Sequence, residues 1–130
     1  MINSKKTAPP SIRFVIPYFG AWPFWMDFFL EGCRRNPDID WLFFTDCGIP
    51  DQAPANTQFI EMSYADYCAL VSARLGIEFY PANPYKLCDI KPALGYIHAE
   101  HLAGYDFWAF GDIDVVYGDL RRYFTTARLA

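Results

Sequence analysis

Four short apolar segments recur along the chain, separated by polar or helix-like stretches. They are IRFVIPYF (12–19), DWLFFTD (40–46), TQFIEMS (57–63) and YDFWAFGDID (105–114). Their length and their β-branched and aromatic content predict four β-strands. Because they are largely apolar at consecutive positions, both faces of the sheet are expected to be buried, as is typical of parallel sheets.

Three intervening stretches predict helices: residues 23–35, 64–76 and 89–104. Ser63 suits the N-cap of the second helix, and Pro92 suits the first turn of the third. The order β-α-β-β-α-α-β predicts an α/β fold, with helices covering both faces of a mostly parallel sheet. Residues 1–11 are expected to form a flexible leader, and residues 12–130 a single domain.

The composition favours a folded core and narrows the choice of partners. Hydrophobic residues make up 53% of the chain and aromatic residues 19%, and the net charge is -4. No basic surface is indicated, so nucleic acid is not an expected partner. An acidic domain that handles an anionic ligand needs a local positive charge, such as a metal ion.

The chain is expected to be cytoplasmic. Its four cysteines are scattered without a CxxC pair, which predicts small buried thiols in a reducing compartment. No apolar run is long enough for a transmembrane segment, and prolines interrupt any signal-peptide core near the N-terminus. The aromatic stretch 22–25 could contact a membrane surface peripherally, although core packing explains it equally well.

Two carboxylates, Asp112 and Asp114, follow the last apolar strand. If the strand continues that far, residues two apart project on one face, and the carboxylates repel each other by roughly 3 kcal/mol at an effective dielectric constant near 20. A shared Mg²⁺ or Mn²⁺ ion would relieve this repulsion. Ligands of open α/β sheets also bind beyond the carboxyl ends of strands. The alternative is a solvated strand end that binds nothing.

The stretches FVIPYFGAWPFW, DWLFFTD, YKLCDIKPALGYI and YDFWAFGDIDVVYGDL together resemble the nucleotide-sugar-binding half of GT-A glycosyltransferases. More narrowly, they resemble a bacterial group of polysaccharide-building transferases with a DxD motif. The resemblance covers residues 12 to 124. It implies a Rossmann-like GT-A half, a nucleotide-diphosphate sugar donor, Mn²⁺ or Mg²⁺ as cofactor, and a glycan or lipid-linked acceptor. The full-length form would be a hexosyltransferase-type enzyme.

The resemblance also implies roles for particular residues. Asp112 and Asp114 would hold the metal that bridges the donor's pyrophosphate, and Asp112 would thereby contact the donor. Pro17, Tyr18 and Phe19, at the end of the first strand, would border the nucleotide base. Packing in the core is the open alternative for the two aromatic residues.

Four further residues are implied as polar contacts of the nucleotide sugar. Asp46 would contact the base or ribose, and Lys86, Asp89 and Lys91 would contact the ribose and donor sugar. Each has a simpler alternative. Asp46 could cap a turn, Asp89 could favour a helix N-terminus electrostatically, and the lysines could be solvated.

His98 and His101 are spaced i, i+3 on a predicted helix, which could in principle bind a metal. No third ligand lies nearby in the sequence, so a core or helix-surface role is predicted instead.

Two features point away from a complete enzyme. No catalytic base is identifiable, and only sixteen residues follow Asp114, where GT-A enzymes usually place acceptor contacts. An incomplete fold that binds metal and nucleotide weakly and transfers sugar poorly is therefore expected. A non-catalytic nucleotide- or metal-binding module is one alternative. A haloacid-dehalogenase-like phosphatase, suggested by DIDVV (112–116), is another. The cation hypothesis would fail if the side chains of Asp112 and Asp114 faced apart, or if one of them were engaged only with a lysine or arginine of the chain.

Overall fold

Four parallel strands form one sheet with the spatial order β3-β2-β1-β4. The computed structural model describes residues 8–130, so residues 1–7 of the predicted leader lie outside the described part. The strands are β1 (Ile12–Tyr18), β2 (Asp40–Thr45), β3 (Thr57–Glu61) and β4 (Phe107–Ala109). β1 and β2 occupy the centre, and every pairing is parallel. The predicted parallel α/β fold is confirmed, and the arrangement is compatible with a Rossmann-like fold.

Side chains of the central strands alternate between two apolar layers. Phe14 and Phe43 point to the layer that contains helix α1 (Met26–Arg34), whereas Val15 and Phe44 point to the layer that contains helix α2 (Tyr64–Leu75). This alternation is the two-residue period of a strand that is covered on both sides. Helices therefore pack on both faces of the sheet, as predicted.

Helix α2 begins and ends where its sequence predicts. The Ser63 hydroxyl accepts a hydrogen bond of 3.0 Å from the backbone N–H of Asp66, and Gly76 closes the helix with φ 67°. These are a side-chain N-cap and a left-handed C-cap. Helix α1 begins at Met26, three residues later than predicted, because residues 23–25 form a turn before it.

The single helix predicted over residues 89–104 is wrong. A 3₁₀ segment covers Pro84–Ala93, and two short helices follow, α3 (Leu94–Ile97) and α4 (Ala99–Leu102). Pro92 lies inside the 3₁₀ segment and has no N–H with which to continue an α-helical hydrogen-bond ladder.

The predicted end of the last strand, at residue 114, is also wrong. β4 ends at Ala109, and both aspartates lie beyond it. The indole N–H of Trp25 donates a 3.0 Å hydrogen bond to the carbonyl oxygen of Ile113, which lies beyond the β1–β4 pairing. Ile113 is itself buried against the α1 layer. The chain therefore turns into the core here instead of continuing along the sheet.

After this turn, the C-terminal segment packs back on the α1 layer. Asn36 donates to the carbonyl oxygen of Gly118 and accepts from the N–H of Leu120, at 2.8 and 2.9 Å. A short helix, α5 (Thr126–Leu129), completes the described chain. Within residues 8–130, no helix combines the length and apolar character that a bilayer crossing requires.

Candidate functional site

A cleft of about 820 Å³ opens beyond the carboxyl ends of β1 and β4. Its walls are the end of β1 with the residues after it, the segment 111–114, and part of the 3₁₀ segment. Six of the nine residues singled out from the sequence line it: Pro17, Tyr18, Phe19, Lys91, Asp112 and Asp114. Residues from three separate parts of the sequence therefore meet at the edge of the sheet where ligands of such folds bind.

Asp46, Lys86 and Asp89 do not line the cleft, and all three are exposed. The carboxylate of Asp46 accepts a 2.8 Å hydrogen bond from the backbone N–H of Gly20, which has φ 113°. Asp46 thus holds the turn after β1, in agreement with its simpler alternative. Contacts of these three residues with a nucleotide sugar stay predictions.

The two aromatic residues at the end of β1 differ in their surroundings. Phe19 is buried and packs against the rings of Tyr64 and Tyr67. Tyr18 is half-buried and stacks on Trp22, with ring centroids 5.4 Å apart and planes inclined by 12°. Burial, and then the nearby Cys47, raise the pKa of Tyr18. Phe19 is therefore a core residue that also borders the cleft, whereas Tyr18 offers a partly exposed ring.

The two aspartates reach the cleft by a route that the sequence did not predict. They lie on an irregular segment, and the buried Ile113 separates the exposed Asp112 from the exposed Asp114. Because the residue between them points inward, both aspartates line the same cleft even without a strand. Both residues thus line one cleft, although they do so from an irregular segment and not from the predicted strand.

Asp112 forms an ion pair with Lys91. The Lys91 side chain is 22% exposed and that of Asp112 is 61% exposed. Burial alone would lower the pKa of Lys91, but the hydrogen bond and charge of Asp112 outweigh it, so the pKa is raised. Lys91 therefore stays protonated at neutral pH. One of the two conditions against a shared cation, an aspartate engaged with a lysine of the chain, is therefore met.

Asp114 has a different environment. Among the described residues, its carboxylate takes part in no ion pair. The cleft thus carries one neutralised and one free carboxylate, beside one lysine.

The number and type of ligating side chains at the cleft decide whether a divalent cation could bind there. Within residues 8–130, no group of three or more His, Cys, Asp or Glu side chains could hold a metal ion. Mg²⁺, however, is commonly bound through one or two carboxylates, with water and substrate phosphates completing its coordination. Asp112 and Asp114 fit that pattern and do not form an all-protein metal cage.

The segment 111–114 rests on a tyrosine that the sequence analysis did not single out. A Cβ added to Gly111 would lie 2.6 Å from the Tyr117 hydroxyl oxygen, so a larger residue there would require the tyrosine side chain to shift. Burial, followed by the charges of Cys33, Asp112 and Asp114, raises the pKa of Tyr117 to about 12. Tyr117, through its contact with Gly111, and Trp25, through its hydrogen bond to Ile113, help to position the two aspartates. No local sequence pattern predicts these contacts.

The prediction that the cysteines are buried holds for Cys33 and Cys68 only. Cys47 is half-buried, and Cys88 is exposed and lines the cleft three residues before Lys91. The core or helix-surface role predicted for the histidines is confirmed for His98, which is a core residue, 1% exposed.

Comparison with known proteins gives a family for the chain. No curated protein and no solved structure matches it. Residues 14–130 match the family described as "Family of unknown function (DUF6625)". The match covers most of β1, all of β2, the cleft and the segment with the two aspartates. The chain therefore belongs to the DUF6625 family.

Proposed function

We propose that this chain binds a nucleoside-diphosphate sugar in the cleft, as the donor-binding part of a GT-A-type glycosyltransferase. One observation carries the proposal: six of nine residues chosen from the sequence line a single cleft at the carboxyl ends of β1 and β4. Those residues come from positions 17–19, 91 and 112–114, which are far apart in the chain. Their convergence supports a common ligand rather than three unrelated local roles.

The side chains at the cleft suit the parts of such a donor. The partly exposed ring of Tyr18 can stack on a nucleobase, and the ammonium of Lys91 can pair with a phosphate. Asp112 and Asp114 would hold Mn²⁺ or Mg²⁺. That ion, when bound, would neutralise the charge that develops on the departing diphosphate. A glycan or lipid-linked acceptor and a place in polysaccharide synthesis follow from the family resemblance alone.

Isothermal titration of the chain with UDP, GDP, ADP and CDP, each with and without Mn²⁺, tests donor binding. We expect at least one nucleotide to bind more tightly with Mn²⁺. The double variant D112N/D114N should weaken that binding by about tenfold or more, because it removes both charged metal ligands. The matched control is Asp51→Asn, which changes an exposed aspartate outside the cleft. Absence of nucleotide binding, or equal binding by all variants, would contradict the proposal.

A second candidate is a nucleotide-binding module without catalysis. The Lys91–Asp112 pair favours it, because a carboxylate that is already neutralised within the protein repels a diphosphate less. This candidate predicts that nucleotide binding is the same with and without Mn²⁺. It also predicts no hydrolysis or transfer of sugar from UDP-glucose. The titrations with and without Mn²⁺ separate the two candidates, because little sugar transfer by this chain is expected from either one.

A further inference from the structure

We propose that Lys91 is an exchangeable counter-ion of Asp112. In the unliganded cleft Lys91 neutralises Asp112. When Asp112 and Asp114 hold a divalent cation, Lys91 leaves the carboxylate and pairs with a phosphate of the bound nucleotide. This inference rests on the proposed function and concerns how the same site changes between its empty and loaded states.

The position of the pair supports exchange. Lys91 and Asp112 lie on different segments, 21 residues apart in the chain, and both line the cleft. The Asp112 side chain is 61% exposed, so solvent and ions reach the carboxylate directly. Water therefore screens the pair at its Asp112 end and weakens it there, whereas the Lys91 side chain is largely buried. The lysine ammonium sits on a flexible four-carbon stem, so it can move between partners without a change in the backbone.

The charges give exchange a function. Two aspartates and one lysine leave the empty cleft with a net charge of minus one, which opposes the approach of a diphosphate. With a divalent cation on the two carboxylates the net charge of the same groups is plus one. If Lys91 stayed on Asp112, only Asp114 would be fully available to the cation. Release of Lys91 therefore provides both a second carboxylate for the cation and a positive charge for the phosphate.

Titration with Mn²⁺ alone tests whether Lys91 competes with the cation for Asp112. Binding is followed as the loss of the electron paramagnetic resonance signal of free Mn²⁺. The variant Lys91→Met keeps the length of the side chain and removes its charge. We expect it to bind Mn²⁺ roughly three- to tenfold more tightly than the wild type, because a competing charge is gone. Lys91→Arg, which keeps the charge, should remain close to the wild type. Arg74→Met is the matched control, because it breaks the Arg74–Glu100 pair away from the cleft.

Binding of UDP at saturating Mn²⁺ tests whether Lys91 pairs with a phosphate of the nucleotide. Here Lys91→Met should bind UDP roughly tenfold more weakly than the wild type, since the phosphate has lost a charged partner. Opposite effects on Mn²⁺ and on UDP are the signature of exchange. A merely structural role for Lys91 would weaken both. Circular dichroism spectra establish that each variant is folded, and Lys91→Gln replaces Lys91→Met if the latter fails to fold.

The outcomes separate this inference from the proposed function. If the wild type binds Mn²⁺ and UDP but Lys91→Met binds Mn²⁺ no more tightly, exchange is overturned and donor binding stands. If Mn²⁺ and UDP bind neither protein, both proposals fail.

Discussion

The hydroxyl of Tyr67 and Nε2 of His98 lie 2.9 Å apart in the interior, and both side chains are fully buried. The His98 ring also stacks on Phe44, with ring centroids 4.1 Å apart. Burial, and then the charges of His101 and Arg74, lower the pKa of His98 to about 4. His98 is therefore neutral at physiological pH, and its Nε2 shares a hydrogen bond with the Tyr67 hydroxyl.

This pair predicts how stability depends on pH. The pKa of His98 is about 4 in the folded chain and near 6.5 when unfolded, so the unfolded chain takes up a proton more readily between these values. The contribution of the neutral His98 to the free energy of unfolding is complete above about pH 6.5. Roughly 3 kcal/mol of this contribution is lost as the pH falls to about 4. Urea unfolding at pH 7.5 and 4.5 measures the change.

The double variant Y67F/H98F is the control for this prediction. It removes both polar groups together, so neither is left unpaired in the core. Its stability should fall less than that of the wild type over the same pH interval. Equal losses in the two proteins would show that His98 does not cause the dependence.

Replacement of Trp25 by phenylalanine should disturb the candidate site. The change keeps an aromatic ring but removes the N–H that holds the Ile113 carbonyl oxygen at 3.0 Å. We expect a loss of about 1 kcal/mol in the free energy of unfolding and weaker binding of nucleotide with Mn²⁺. Tyr64→Phe removes a comparable 2.7 Å bond to the Pro81 carbonyl oxygen and should reduce stability only. Equal binding by both variants would argue against a positioning role for Trp25.

The exposed thiol of Cys88 can report directly on occupancy of the cleft. Because Cys88 lines the cleft, UDP with Mn²⁺ should slow its alkylation by iodoacetamide several-fold. Peptide mass spectrometry resolves each cysteine, and the half-buried Cys47, which does not line the cleft, is the internal control. If the two rates change in parallel, the nucleotide acts elsewhere or on the whole fold.

Gly32→Ala should destabilise the protein, although alanine usually stabilises helices. A Cβ at position 32 would lie 2.8 Å from the backbone nitrogen of Tyr117, so helix α1 and the C-terminal segment would have to separate. We expect a loss of about 1–3 kcal/mol. At Gly118 an added Cβ meets nothing within 4 Å, so Gly118→Ala should have little effect. Thermal unfolding of the two variants distinguishes close packing from a general intolerance of alanine.

The central strands and helix α2 could be predicted because their signals are local. Consecutive apolar residues mark strands buried on both faces, as in β2, and a serine cap with a terminal glycine bounds α2. The end of β4 could not be predicted, because its apolar pattern continues into Phe110 while the hydrogen-bond ladder with β1 stops at Ala109. Whether an apolar residue extends a strand or fills a core depends on neighbours that are distant in sequence.

The candidate site was predictable to a similar extent. The two aspartates were predicted from residue type and position, whereas the end of β1 and Lys91 were implied by the family resemblance. The pairing of Lys91 with Asp112 was not found, since it needs the packing of the 3₁₀ segment against the residues after β4. Nor does any sequence pattern distinguish the exposed Cys88 from the buried Cys68.

The burial of Ile113 has a consequence for how this segment can vary. With that side chain fixed inward, packing of the core constrains where the two acids lie. Insertion or deletion of a single residue beside Ile113 would change which side chain occupies its buried position, and an unpaired carboxylate there would be very costly. Replacement of either aspartate by glutamate leaves Ile113 in place and should be tolerated more readily. A change in the number of residues between the two acids should be tolerated least.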